Sequence, residues 1–212
     1  MDELTYLERP AQGQAEGLLI LHHGRGSDEH DLLALAEVLD RAQRLHVVTP
    51  RAPLTLPGWG GYHWYMVPRV GFPDPQSFGS SYRLLCEFHD RLWERTGIPP
   101  QRTVLGGFSM GCVMSYASGL GPDRPRPAGI LAFSGFIPTV PGWEPQLESR
   151  AGMPVFISHG RADEVIDVDF AHLARTRLSA AGLDVEYHES AAAHRIDPGA
   201  LNSAIGWLAA TV

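Results

Sequence analysis

Gly107-Phe108-Ser109-Met110-Gly111 matches the pattern G-x-S-x-G, in which glycines flank a serine on a sharp strand-to-helix turn and leave its hydroxyl exposed as a nucleophile. A serine hydroxyl is a weak nucleophile at neutral pH, so it needs an adjacent base, and the base needs an orienting partner. Both stand downstream. His159-Gly160-Arg161-Ala162-Asp163 follows an apolar run, and Ala191-Ala192-Ala193-His194 precedes the last amphipathic segment. Serine, acid and histidine in that order can converge at one end of an α/β sheet. Glu164, Asp167 and Asp169 compete with Asp163, which stands closest to the strand end; His159 and His188 compete with His194, which position favours. The chemistry would be acyl transfer, with Ser109 attacking, His194 taking its proton and Asp163 orienting the ring.

The tetrahedral intermediate of such a transfer needs two hydrogen-bond donors at its oxyanion. The backbone N–H of Met110, directly after the nucleophile, is one, and the N–H of Arg25 in His22-His23-Gly24-Arg25-Gly26 is expected as the second. His22, His23 and His30 suggest zinc, but no carboxylate or cysteine completes a clear ligand spacing, so no metal is expected. Gly24 and Gly26 form too short a pair for a dinucleotide fingerprint. No cofactor is expected.

These groups require strand ends to carry them. Gly17 to Leu21, Leu45 to Thr49, Thr103 to Gly106, Gly129 to Phe133, Pro154 to Ser158 and Asp184 to His188 read as strands, mostly continuous apolar runs suited to a sheet buried on both faces. Helical spacing of apolar residues marks Asp28 to Arg41, a helix around Leu84 to Trp93 ending near Gly97, Cys112 to Ser118, Phe170 to Ala181, and Pro198 to Ala210. The alternation predicts an α/β fold with a mostly parallel central sheet and helices on both faces, in one domain over residues 1–212. Arg51 to Gly79 has no sustained period yet carries Trp59, Tyr62, Trp64, Tyr65, Met66, Phe72 and Phe78. Long irregular segments are uncommon unless functional, and Trp64, Tyr65 and, after a later strand, Phe136 are candidates for the substrate-binding wall.

With those residues in place, the chain resembles the carboxylesterase, lysophospholipase and acyl-protein thioesterase family of α/β-hydrolases. The resemblance rests on Leu21 to Gly26, Gly107 to Gly111, His159 to Asp163 and His194, in order over nearly the whole chain. It implies a lidless or lightly covered hydrolase that needs no cofactor and acts on esters or thioesters of short or medium acyl chains. Two departures stand out. Many members carry Gln-Gly after the nucleophile, where this chain has Met110-Gly111-Cys112. Members usually have a hydrophobic residue after the oxyanion-loop glycine, where this chain has Arg25, so substrates bearing a carboxylate or phosphate are expected to be favoured.

Composition narrows the alternatives. All 17 basic residues are arginine, which removes lysine Schiff-base and P-loop chemistry, and the formal charge of -7 without a basic stripe argues against nucleic acid or anionic membrane as partner. The N-terminus lacks a basic and apolar leader and no segment reaches the ~20 apolar residues of a membrane span, so a cytoplasmic protein is expected. Cys86 and Cys112 fall in helical stretches and read as buried thiols. The leading expectation is a serine carboxylesterase acting on small-molecule esters through an acyl-enzyme. Beside it stand an acyl thioesterase or lysophospholipase with the same triad, a metal-dependent hydrolase using His22 and His23, and a catalytically silent binding module. Exposed aromatics near the cleft could serve a homodimer.

Overall fold

The computed structural model describes residues 4–55, 57–58 and 60–212. Its strands are β1 (Tyr6–Arg9), β2 (Gly17–His22), β3 (Leu45–Pro50), β4 (Thr103–Phe108), β5 (Gly129–Phe133), β6 (Pro154–Gly160) and β7 (Asp184–Ser190). They form one sheet in the order β1-β3-β2-β4-β5-β6-β7. β1 runs antiparallel to β3, and the remaining neighbours are parallel. Every residue of β2 and β5 is buried, as continuous apolar runs in a sheet covered on both faces require.

Successive strand residues point to opposite faces, and the two faces have separate cores. Leu18, Ile20, Val48 and Leu105 pack with Phe78, Leu85 and Leu92 of α2 (Pro75–Thr96) and with Val113 and Met114 of α3 (Met110–Leu120). On the other face, Leu19, Leu21, Val104 and Phe133 meet Leu32 and Ala36 of α1 (Asp31–Leu39) and Ala204 and Leu208 of α5 (Pro198–Thr211). Beyond β5, Ile130, Val155 and Ile157 pack against Tyr116 and Leu120 of α3 and against Ala174 and Leu178 of α4 (Asp169–Ala180). The expected α/β architecture is therefore present.

Three local expectations change. β1 is an additional edge strand. α2 begins at Pro75, inside the segment read as irregular; Asp74 caps it by accepting the Ser77 N–H at 2.9 Å, and Gly97 closes it in the left-handed conformation at φ 66°. α1 starts at Asp31 rather than Asp28, whose carboxylate instead accepts the His30 N–H. Cys86 and Cys112 are free buried thiols. Among the described residues, no helix is long and apolar enough to cross a membrane. Residues 1–3, on which the reading of the N-terminus rested, and Trp59 of the aromatic segment lie outside the described residues.

Candidate active site

The C-terminal ends of β2, β4, β5, β6 and β7 emerge at one edge of the sheet, where open α/β sheets carry their functional groups. Ser109 lies between β4 and α3 with φ 55° and ψ −120°, a conformation that L-residues seldom adopt and that surrounding packing must enforce. The enforcement is visible. The Ser109 N–H donates to the Phe133 carbonyl at 2.9 Å, and a Cβ on Gly111 would lie 1.9 Å from the His22 carbonyl oxygen. Only glycine lets α3 approach β2 this closely.

His194 enters from the loop after β7. A Cβ on Gly160 would lie 2.1 Å from the Ala192 carbonyl oxygen, and the Ala162 N–H donates to that oxygen at 3.0 Å, so the acid and histidine loops interlock. His194 Nδ1 lies 2.7 Å from Asp163 Oδ2, and its Nε2 lies 2.9 Å from Ser109 Oγ. A carboxylate only accepts, so Nδ1 carries the hydrogen, and Nε2 of the neutral ring accepts from the serine hydroxyl. Phe108 packs on the imidazole with ring centroids 4.9 Å apart. The Asp163 side chain is buried. Burial alone would raise its pKa, but the amides of Ile166 and Val165 and the His194 ring outweigh that and hold the carboxyl below its usual value. Of the competing groups, Asp167 Oδ1 accepts the Asp169 N–H at the start of α4, and His188 bonds Glu186.

Met110 is the first residue of α3, so its N–H has no acceptor within the helix. Opposite it runs the loop after β2, where a Cβ on Gly24 would sit 3.6 Å from Ser109 Cβ, bringing Arg25 to the elbow. Arg25, Tyr65, Phe136, Val67, Val70, Val165 and Ile166 wall a cleft of about 100 Å³ whose floor includes Ser109 and Met110. Its walls are predominantly apolar. Tyr65 and Phe136 are thus in the cleft, whereas Trp64 is not and its expected place in the substrate wall is corrected. Trp64 is fully buried beside the cleft; its indole N–H donates to the His23 carbonyl at 2.9 Å and its backbone N–H to Met110 Sδ at 3.2 Å. It ties the loop after β2 to the elbow. Val67, Val70, Val165 and Ile166 were missed, because isolated aliphatic residues in loops carry no sequence signal.

His22 and His23 are built into the scaffold. His23 Nδ1 bonds the Gly24 carbonyl at 2.8 Å and its Nε2 accepts the Ala52 N–H at 3.0 Å. His22 Nδ1 lies 2.8 Å from Ser115 Oγ, which donates to the Gly111 carbonyl, and its Nε2 lies 3.2 Å from His89 Nε2. With these nitrogens committed, the pair is not arranged as metal ligands. Among the described residues, Asp28, Glu29 and His30 bring potential ligand atoms close together, but the Glu29 carboxylate is engaged by the Arg51 guanidinium, Nε to Oε2 at 2.6 Å.

Burial pushes the His22 ring down to about 3 with His23 adding repulsion, lowers His23, and holds His89 well below the usual histidine value. In the unfolded chain these rings take up protons near pH 6.5. Between that pH and about 3 the unfolded state therefore binds more protons, and stability falls as the pH falls. The His22 ring contributes about 1.5 kcal/mol of loss between pH 6.5 and 5, and His23 and His89 act in the same direction. The urea midpoint is expected to drop clearly over that interval, well before carboxylates titrate; an unchanged midpoint would refute the neutral cluster. The exposed His172–Glu189 pair acts in the opposite sense, since Glu189 raises the His172 value, but solvent screening keeps it small.

Comparison with known proteins gives a consistent outcome. Residues 8–212 match the family model described as Phospholipase/Carboxylesterase. The chain is 30% identical over 182 residues to acyl-protein thioesterase 1 of Yarrowia lipolytica, covering 78% of each protein. It is 28% identical over 197 residues to the protein of that name in Neurospora crassa, covering 84% of this chain and 79% of that one. Among solved structures, esterase PE8 superposes with a TM-score of 0.86 at 32% identity over the full length of both chains. The Bacillus cereus carboxylesterase does so with a TM-score of 0.85 at 21% identity, over 99% of this chain and 95% of that one, a likeness of fold.

Proposed function

The chain belongs to the phospholipase/carboxylesterase family of α/β-hydrolases, and from that premise we propose that it is a serine carboxylesterase cleaving short- to medium-chain esters with Ser109, His194 and Asp163 as its triad. The observation that carries the reading is the hydrogen-bonded relay from Ser109 Oγ through His194 to Asp163 at 2.9 and 2.7 Å. Ser109 Oγ attacks the ester carbonyl while His194 Nε2 takes its proton, and the Met110 and Arg25 N–H groups receive the oxyanion. The intermediate collapses to an acyl-serine as the imidazolium returns the proton to the departing alkoxide. Water then attacks the acyl-serine, again giving its proton to His194, and the carboxylic acid leaves with the serine hydroxyl restored.

The size of the cleft supports the chain-length range. A cavity of ~150 Å³ suffices to enclose benzene, so one of about 100 Å³ accepts about three or four acyl carbons. Further methylenes would run along Val70 and Val165 at the half-exposed rim. Thioester cleavage is the second reading, favoured by the names of the Yarrowia and Neurospora relatives.

Arg25 brings the one formal charge to the described cleft wall, and its cation is felt at His63 and Tyr65. A panel of matched oxygen and thiol esters, graded by acyl length and each paired with an analogue bearing a carboxylate, tests these points together. Oxygen esters of short acyl chains are expected to give the highest kcat/KM; uniformly faster thiol esters would hand the assignment to the second reading. Arg25→Ala should lower the ratio of anionic to neutral substrates about 3- to 10-fold, an effect that added salt diminishes. Equal ratios in wild type and variant would remove Arg25 from substrate selection.

A further inference from the structure

His159 is the next-to-last residue of β6, and its side chain has no solvent exposure. Pairing of β6 with β7 sets its backbone opposite Glu189, so the sheet fixes the ring's direction. Nε2 lies 2.8 Å from the Ile166 carbonyl oxygen and 3.3 Å from Asp163 Oδ2. The Ile166 carbonyl only accepts, so Nε2 carries the hydrogen and donates it there, with the Asp163 carboxylate close by. Nδ1 is buried and has no hydrogen-bond partner among the described residues. An orphaned buried nitrogen is costly, and an aliphatic side chain would fill the space without that cost. The ring is therefore explained by what its other nitrogen does.

That nitrogen acts on two features of the site at once. Asp163 Oδ1 accepts the N–H groups of Val165 and Ile166 at 2.9 and 2.8 Å, which leaves Oδ2 to His194, with the His159 ring 3.3 Å away. Ile166 is then held from both sides, its N–H by Asp163 and its carbonyl by His159, and it lines the cleft together with Val165. Oδ2 has the single hydrogen-bond donor that catalysis itself moves, so its aim depends on how firmly the Asp163–Ile166 turn is held. We propose that His159 is a positioning residue for ester cleavage, its Nε2–H holding the Ile166 carbonyl and, through that turn, both the aim of the Asp163 carboxylate at His194 and the place of the Val165–Ile166 wall. The proposal rests on the triad reading above.

Three substitutions separate this role from packing. The amide nitrogen of His159→Gln reaches the place of Nε2; that of His159→Asn stops near the place of Nδ1, short of the Ile166 carbonyl; His159→Leu has no donor. With a short-chain ester, kcat is expected to fall about 10- to 100-fold in the Asn and Leu variants, to stay within about 3-fold of wild type in Gln, and KM to change little. A carboxylate whose backbone donors are loosened becomes more basic, so the acid limb of the kcat/KM profile should move up by about half a pH unit in Asn and Leu and return in Gln. The far-downfield proton resonance of His194 Nδ1–H should shift in Asn and Leu and be restored in Gln. This last readout needs no turnover: a wild type left unlabelled by a fluorophosphonate would sink the esterase reading alone, while the resonance would still decide the role of His159. Equal kcat and equal resonance in Gln and Asn would overturn the proposal, as would a Leu variant with wild-type kcat, acid limb and resonance. Should the Leu variant fail to fold, the Gln and Asn pair decides, since the two differ only in the reach of the donor.

Discussion

Ser109→Ala is expected to lower kcat/KM for a short-chain ester by on the order of 10⁶ and to abolish labelling by a fluorophosphonate. The variant loses the attacking oxygen while keeping its surroundings. The Ser109 N–H bond to Phe133 belongs to the backbone, and the side-chain partner it gives up is His194 Nε2, on a ring still held by Asp163. Thermal stability should consequently stay close to wild type, which separates loss of chemistry from loss of fold. Any residual rate would come from binding and the oxyanion donors. A variant that kept more than about one per cent of the activity, or a probe that labelled it as before, would place the nucleophile elsewhere.

Asp163→Asn is expected to lower kcat about 10⁴-fold with KM near wild type. The carboxylate accepts from the backbone amides of Val165 and Ile166 on one oxygen and from the His194 imidazole on the other. An amide must turn an NH₂ group toward one of these sets. Facing His194, the NH₂ requires Nδ1 to become an acceptor, which puts the ring hydrogen on Nε2 and removes the base from Ser109. Facing the backbone amides, it sets donor against donor in a buried turn and loosens the wall at Ile166. The first arrangement leaves the serine hydroxyl in place but unactivated; the second keeps the tautomer but removes the negative charge that stabilises the imidazolium. Single-turnover kinetics with a chromogenic ester would show a slowed acylation step; acylation at the wild-type rate would mean that Asp163 does not orient the base.

β2, β4, β5 and β6 were legible because they are buried on both faces and read as apolar runs, and Ser109 and Asp163 because each closely follows such a run; β7 is partly exposed, and His194 was legible by its place before the last amphipathic helix. β1 was not, since Tyr6–Arg9 is a four-residue, half-exposed edge in which polar and apolar residues mix. The start of α2 escaped because Ser77, Gly79, Ser80 and Ser81 are indifferent or poor helix formers, although Asp74 and Pro75 together form a start signal. Trp64 shows why composition misled: a tryptophan near an active site can fill a wall or brace a loop, and only the partner of its indole N–H tells which. His159 has the same ambiguity, because adjacency to the acid loop in sequence does not reveal that its ring nitrogen meets the Ile166 carbonyl.

The interlock of the loops after β6 and β7, with Gly160 against the Ala192 carbonyl, has a consequence for how a chain of this kind can diversify. The reacting groups stand on strand ends fixed by backbone pairing and glycine clearances, where single changes are poorly tolerated. Tyr65, Val67 and Val70 come instead from an irregular stretch outside the sheet, and loops accept replacement, insertion and deletion more readily than the elements they join. Descendants of one ancestor could therefore exchange their preferred acids by drift in that stretch while inheriting the catalytic apparatus unaltered.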